Sequence, residues 1–424
     1  MPVKLLTSLV VGGFPSWFPE PLRIIKVGSS IGALALTKWY TSGTTCHAER
    51  DMHGRVVLIT GGTSGIGAIT TYELARRGAQ IVLLTRQPPN DPFLVDFIDD
   101  IRDRASNQLV YAEQVDLADL YSIRQFATRW VDNAPPRRLD MIVLCAATLT
   151  PANGKRTETP ERVETTWMVN FLANFHLLGI LSPAIRAQPF DRDVRIIVAT
   201  CSSYIRAPPL NVALDKKDWS PARAYAKSKL ALMSFATAYQ KHLDAYKRPD
   251  QLPMNARVFM VDPGYTRTPG MMRWLSRGSL FGLLFYVLLY PLIWLFLKSP
   301  LMGAQSILFA ALEGSLIRQP GGKLFKECME VDFARKDIKG EDTAKKLWEA
   351  SDKLIEKSEK EAAVRRANSK KKQEEKADEE KKGQQLEEIE ALINSISKGK
   401  KQKAQQEAKK AKGGKKSKSG KNSS

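Results

Sequence analysis

The stretch from Val56 to Leu84 restricts the fold more than any other part of the chain. Val56 to Thr60 is a short apolar run that stops at a glycine-rich turn, Thr60-Gly61-Gly62-Thr63-Ser64-Gly65-Ile66-Gly67. Ala68 to Arg77 then reads as a helix closed by Gly78, and Ile81 to Leu84 as a second buried strand. Strand, helix and strand within about 30 residues make a βαβ unit, which belongs to a parallel sheet. Further buried strands are expected at Met141 to Leu144, Val194 to Ala199 and Val258 to Val261, with helical stretches between them. Alternation on that scale predicts an α/β fold, a doubly wound parallel sheet in a single domain.

The turn also carries chemistry. Glycines at a strand–helix junction let the backbone approach a pyrophosphate, and the helix N-terminus offers unpaired amide donors. Gly61, Thr63, Ser64, Gly65, Ile66 and Gly67 are therefore candidate dinucleotide contacts. The end of the second strand bears on which nicotinamide cofactor fits: a carboxylate there accepts from the ribose hydroxyls of NAD, whereas an arginine receives the extra phosphate of NADP. That strand ends Leu84-Thr85-Arg86 and the first acid after it is Asp91, so Arg86 favours NADP(H).

Far downstream stands Ala224-Tyr225-Ala226-Lys227-Ser228-Lys229. Residues four apart share a helix face, so the Tyr225 phenol and the Lys229 ammonium point into one space. A phenol with a pKa near ~10 exchanges protons at neutral pH only if its anion is stabilised by roughly 4 kcal/mol. A fixed ammonium supplies part of that. Taken alone, the spacing is better served by an amphipathic helix with a solvated lysine.

The order of these signals resembles the short-chain dehydrogenase/reductase family, most closely its retinol dehydrogenase-like branch. The resemblance runs from about Gly54 to Ile355. It rests on Thr60-Gly61-x-x-x-Gly65-x-Gly67, Val115-Asp116-Leu117, Val169-Asn170-Phe171-Leu172, Cys201-Ser202-Ser203, the Tyr225/Lys229 pair and Asp262-Pro263-Gly264-Tyr265-Thr266-Arg267-Thr268. It implies a Rossmann-like sheet and these roles: Tyr225 the acid/base, Lys229 its pKa-lowering neighbour and ribose contact, Ser203 the group orienting the substrate oxygen, Asn170 the anchor of a relay water. Asp116 would face the adenine, Thr268 would meet the carboxamide, and Pro263 and Gly264 would line the cofactor. One departure stands out. Where the family carries Asn-Asn-Ala-Gly after the fourth strand, this chain has Leu144-Cys145-Ala146-Ala147, which removes an asparagine that braces the sheet.

Of 424 residues, 43% are hydrophobic and 26% charged, enough for one large core, and the formal net charge is +20. From Lys398 onward eleven lysines face one acid, Glu407, so half of that charge lies in the tail. Residues 336–397 read as a charged helical extension, with an apolar stripe at Leu386, Ile389, Leu392, Ile393 and Ile396 near its end, and 398–424 as Lys-rich disorder. The tail lacks aromatic residues to stack bases, so a contact with a protein or an anionic surface fits it and a specific nucleic acid does not. Four cysteines without Cys-x-x-Cys spacing or a His cluster argue against zinc or a disulfide framework, and no metal site is expected.

Residues 1–50 mix apolar stretches with Trp17, Phe18 and prolines, as a membrane contact or a strap on the core would. They precede the main domain, expected over 51–335. Within it, 275–297 is an apolar insertion whose eighteen uncharged residues from Leu280 to Leu297 are interrupted by Pro291. The segment lies before a strand of the same sheet expected at Gly322 to Lys326, so a single crossing is ruled out. A helix or hairpin lying in one leaflet, kinked near Pro291, is expected; packing on the domain is the alternative. These features point to an NADP(H)-dependent oxidoreductase acting on a hydrophobic alcohol/carbonyl pair, retinoid-, sterol- or lipid-like, at the cytosolic face of the endoplasmic reticulum or a lipid droplet. A catalytically weak scaffold that tethers a partner at a membrane through its tail is the other reading.

Overall fold

The structure is a computed structural model that describes residues 21–212, 214 and 217–414. The apolar run from Leu5 to Phe14, with Trp17 and Phe18, and the last ten residues of the tail lie outside the described residues. The chain forms two compact units, 1–359 and 360–424.

The first unit holds an eight-stranded sheet in the order β3-β2-β1-β4-β5-β6-β7-β8. Its strands are β1 Val56–Thr60, β2 Gln80–Thr85, β3 Val110–Gln114, β4 Met141–Leu144, β5 Val194–Ala199, β6 Ala256–Asp262, β7 Lys323–Lys326 and β8 Met329–Val331. All neighbours pair in parallel except β7 with β8. The order reverses at β1, where chain direction across the sheet switches and opens a crevice at the strand ends.

Period-2 alternation divides the core between the two faces. Leu58, Val82, Ile142, Ile196 and Val258 pack on one side with helices α4 (Leu120–Val131), α5 (Thr165–Arg186) and α6 (Pro221–Asp244). Val57, Ile81, Val143, Ile197 and Phe259 pack on the other with α2 (Gly65–Arg76), α3 (Pro92–Ala105) and α10 (Pro300–Leu312). Each such side chain contributes about 1.5–3 kcal/mol by leaving water. Both faces being covered explains why the strands are continuous apolar runs rather than alternating ones.

Helix α5 is long and apolar enough to cross a membrane, but 72% of its apolar window is buried inside the domain, where it serves as a core helix. The insertion folds instead as α7 (Pro269–Leu275), α8 (Leu280–Leu288) and α9 (Tyr290–Phe296), with Pro291 in the first turn of α9. Nine and seven residues reach only about 14 and 10 Å, far short of a ~30 Å hydrocarbon core. The ends of the excursion are pinned together: Lys298 N–H donates to the Tyr265 carbonyl and Arg267 N–H to the Lys298 carbonyl, both at 2.9 Å. The strand expected beyond it is β7, parallel to β6.

Helix α1 (Pro21–Ser42) lies against α9, where Lys38 Nζ donates to the Trp294 carbonyl and Thr41 Oγ1 to the Leu295 carbonyl, each at 2.6 Å. Helix α11 runs from Glu341 to Gly414, past Lys398 where disorder is expected, because its Glu/Lys/Ala/Gln sequence has no proline and only isolated glycines before Gly413. The first compact unit extends beyond residue 335 to Glu359 because Trp348 and Ile355 pack into the core of α5 and α6. In the second unit Leu386, Ile389, Ile393 and Ile396 are exposed.

Candidate active site

Four strand ends and two helices converge at the crevice. The turn after β1 places Gly61 at φ +67°, left-handed backbone that glycine adopts freely, and a Cβ there would stand 2.7 Å from Ala146 Cα. A Cβ on Gly67 would meet the Gly61 carbonyl oxygen at 2.1 Å. The buried Thr71 hydroxyl fixes the turn from below by donating to the Gly62 carbonyl at 3.1 Å. Ser64 is exposed at the N-cap of α2, where its side chain makes no capping bond, Thr63 and Ile66 are half-buried beside it, and the first-turn amides of a helix have no partner within it.

Beyond β4, where the asparagine is missing, Thr60 still ties the strand ends. Thr60, buried at the end of β1, accepts the Ala146 N–H on its hydroxyl at 3.3 Å, and its carbonyl accepts the Cys145 N–H at 3.2 Å. The β1 and β4 ends are thereby tied together without the asparagine side chain. Burial pushes the Cys145 thiol up to about 12, against the pull of the Lys229 ammonium.

Beyond β5 the two adjacent serines part company. Ser202 donates to Asp262 Oδ2 and receives Lys326 Nζ at 3.4 Å, so it belongs to a structural link between β5, β6 and β7. Ser203 Oγ shares a hydrogen bond with Cys201 Sγ at 2.7 Å, and Cys201 is also a hydrogen-bonding neighbour of the Tyr225 hydroxyl. Ser203 is thus the serine joined to the Tyr225 side.

Helix α6 begins with Ser220 capping Arg223 N–H at 3.3 Å and Pro221 in its first turn. One turn further, Tyr225 and Lys229 project to the same side, with Lys229 Nζ 5.7 Å from the Tyr225 ring centroid. Lys229 is buried and donates to the Ala199 carbonyl at 2.9 Å. Burial lowers its pKa, opposed by Cys201, Cys145 and Asp262. An ammonium has three donors, so that one contact leaves capacity for the hydroxyls of a bound ribose.

Tyr225 departs from expectation. Burial first, then Cys201 and Asp262, hold its phenol well above the ordinary value of 10.0. Lys229 does not reverse this, because it lies over the ring and its charge is itself destabilised by burial.

Asn170 sits in a π-helical turn, Met168–Leu172, within α5. Such a turn breaks the regular ladder and is frequent at functional sites. The Asn170 side chain accepts Thr148 N–H at 2.7 Å and donates to the Thr148 carbonyl at 3.0 Å and to Ser228 Oγ at 3.1 Å. Ser228 in turn donates to the Tyr225 carbonyl at 2.8 Å, linking the two family positions through a residue that the motif reading passed over. Asn174 Nδ2 donates to the Asn170 carbonyl at 3.0 Å.

The remaining candidates lie around this centre. Thr268 caps α7 by accepting Met271 N–H at 3.3 Å, and its methyl would be 3.2 Å from a Cβ on Gly65, so the β6 loop meets the glycine turn. Gly264, after Pro263, donates its N–H to Asp262 Oδ1 at 3.0 Å. Asp116 accepts Ala118 N–H at 2.8 Å, which shapes the turn after β3. Arg86 stands exposed just past β2 and makes no ion pair among the described residues. No cluster of metal-ligating side chains occurs among the described residues.

A glycine turn with no room for side chains and a buried ammonium with spare donors fit a nicotinamide dinucleotide. Comparison with known proteins agrees. The family profile described as short chain dehydrogenase matches residues 55–277. The chain is 42% identical over 371 residues to a Schizosaccharomyces pombe protein named uncharacterized oxidoreductase pbr1, covering 85% of this chain and 97% of that protein. It is 30% identical over 340 residues to mouse retinol dehydrogenase 13, covering 79% and 93%. A solved structure of an uncharacterized Mycobacterium paratuberculosis protein shares the fold with a TM-score of 0.53 at 23% identity, covering 74% of this chain and 98% of that one. Sequence and sheet together make this chain a member of the short-chain dehydrogenase/reductase family of nicotinamide-dependent oxidoreductases, within its retinol dehydrogenase-like branch.

Proposed function

We propose that the protein is an NADP(H)-dependent oxidoreductase that interconverts a hydrophobic alcohol and its carbonyl at a lipid surface. The observation that carries this reading is the meeting of Tyr225, Lys229, Ser203 and Asn170 beside the glycine turn, with the Lys229, Ser203 and Asn170 side chains held by hydrogen bonds and Tyr225 stacked against the Lys229 ammonium. The unpaired Arg86 at the end of β2 supports NADP(H) over NAD, since a guanidinium suits a phosphate and no acid competes there.

When bound, the cofactor supplies a hydride-transferring nicotinamide. The turn from Gly61 to Gly67 would hold its pyrophosphate, Arg86 its 2′-phosphate, Lys229 its ribose and Thr268 its carboxamide, with Asp116, Pro263 and Gly264 framing the cleft. Tyr225 handles the proton at the substrate oxygen and Ser203 orients that oxygen. Asn170, braced by Ser228 and Thr148, keeps the floor of the relay fixed. A phenol held above its ordinary pKa is loaded with its proton at neutral pH, which suits carbonyl reduction.

Hydrophobic substrates and a lipid surface are supported by one exposed apolar face. Phe281 is 79% exposed and Trp39 78%, and Leu284, Phe285, Leu288 and Leu292 are exposed with them. Soluble monomers rarely present such a contiguous patch. No Asp or Glu occurs from residue 263 to 312, whereas Arg267, Arg273, Arg277 and Lys298 do. That charge balance fits the cytosolic face of the endoplasmic reticulum or a lipid droplet.

The test is Tyr225→Phe. NADPH titrated against wild type should bind, and lipid extracts with NADPH should yield a reduced product by mass spectrometry. Tyr225→Phe should keep NADPH binding and lose turnover by about 10²–10⁴-fold. Unchanged turnover would remove Tyr225 from its role. Absence of NADPH binding in wild type would favour the scaffold reading.

A further inference from the structure

Four cysteines spread along the sequence give no sign of pairing, yet the fold brings two of them together at the foot of α1. Residues 43–55 leave α1 as an extended strap that reaches β1. The tip of the β7–β8 hairpin, Glu327 and Cys328, lies against this strap. Thr44 N–H donates to Glu327 Oε2 at 3.1 Å across 283 positions of sequence, and Cys328 Sγ approaches the Thr44 carbonyl at 3.9 Å. Cys46 N–H is fixed by Gln305 Oε1 at 2.9 Å. The Cys46 and Cys328 thiols stand close enough for each to shift the other's pKa, and both are free and partly exposed.

The two sulfurs differ in character. The Cys328 side chain, helped by the Ala48 backbone and Arg77, lowers the Cys46 thiol to about 7 against the effect of burial. Cys328 is pushed upward by Cys46 and by burial, and so retains its proton. This is the asymmetry of an attacking thiolate beside a resolving thiol. A cavity of about 190 Å³ opens at Cys46, lined also by Arg76, Arg77, Glu73 and Gln305; Glu73 pairs with both guanidiniums, so the wall keeps one net positive charge toward a small molecule bearing carboxylates. Cys145, raised to about 12, has no comparable activation.

We propose that Cys46 and Cys328 are a redox-active pair that closes into a reversible disulfide, with a small anionic disulfide such as oxidised glutathione as oxidant. Cys46 thiolate attacks one sulfur of that disulfide, its S–S bond breaks, and one small thiol leaves. The Cys328 thiol then gives up its proton and attacks the Cys46 sulfur, and the second small thiol leaves. Two protein thiols are oxidised and one small disulfide is reduced to two thiols, whose protons come from the protein pair. The closed bond fastens the strap, and with it the base of α1, to the last hairpin of the sheet. Reduction by excess small thiol reopens it.

Full-length protein is equilibrated near neutral pH in graded ratios of reduced to oxidised glutathione, then acid-quenched, alkylated and mapped by peptide mass spectrometry. The expected result is a Cys46–Cys328 cross-linked peptide pair that dithiothreitol removes, with Cys145 and Cys201 still alkylated after unfolding. Cys328→Ser should trap glutathione on Cys46, and Cys46→Ser should leave Cys328 unmodified at the same ratios. Limited proteolysis within residues 43–55 should slow by about tenfold on oxidation, since the strap loses its freedom to open. Alkylation of both thiols at every ratio, glutathione persisting on wild-type Cys46, or Cys46 linked to another cysteine would each overturn the proposal.

Discussion

Gly67 shows how little freedom the site leaves at the scale of one residue. A methyl group there would sit 2.1 Å from the Gly61 carbonyl oxygen, and the obstacle is backbone, which cannot swing aside. Gly67→Ala should therefore cost about 1–3 kcal/mol in denaturant unfolding, and weaken NADPH binding by at least about tenfold in fluorescence titration. Wild-type affinity in that variant would mean that the turn does not shape the dinucleotide site. Glycines of this kind are legible in a sequence because the backbone need is local. Tyr225 and Lys229 are legible for the same reason, since helix geometry alone puts them side by side. Ser228, Cys201 and Thr60 are not. Their roles arise from contacts with residues far away in sequence: Asn170 for Ser228, Tyr225 for Cys201 and Ala146 for Thr60. The resemblance already singles out Ser203 over Ser202; what it leaves out is that Asp262 claims Ser202.

At the scale of elements, the apolar helices offer a sharper test than deletion of the whole excursion. Phe281 and Phe285 on α8 are 79% and 61% exposed, so neither supports the core. Phe281→Asp with Phe285→Asp should leave unfolding unchanged and cut partitioning onto anionic vesicles by at least about a hundredfold, each phenylalanine being worth roughly 1.5–3 kcal/mol when buried. Undiminished flotation would assign membrane contact elsewhere. The six strands read from sequence lie where they were expected, two of them longer by a residue or more at each end and β7 one residue shorter, because runs buried on both faces have no competing reading. β3 and β8 escaped notice. β3 is half-exposed along most of its length and β8 is a three-residue edge strand, so neither has the continuous apolar run that marked the others. The end of α11 was also illegible, since lysine-rich composition serves a solvated helix and a disordered chain equally well.

For the folded unit as a whole, one buried base sets a limit on acid tolerance. His176 on α5 is buried beside Arg124 and 3.4 Å from Glu359, and burial followed by the Arg124 charge lowers its pKa from 6.5 to about 4. A folded-state value below the unfolded one means that the unfolded chain takes up the proton more readily. His176 therefore costs nothing above pH 6.5, destabilises the fold progressively as pH falls below it, and stops adding to the loss below about pH 4. By pH 4.5 the loss attributable to this group is about 2–3 kcal/mol. Unfolding free energies of wild type and His176→Gln, measured at pH 7 and pH 4.5, should diverge by that amount; parallel losses would show that His176 titrates normally. The closure of the apolar excursion has a consequence of another kind. Because Tyr265, Arg267 and Lys298 bind its two ends together, a tug on α8 from a moving lipid surface is borne by two backbone hydrogen bonds at its neck, with the Lys38 and Thr41 bonds to α9 sharing the load. They act as a mechanical fuse, yielding before load reaches β6 and the catalytic groups at its end.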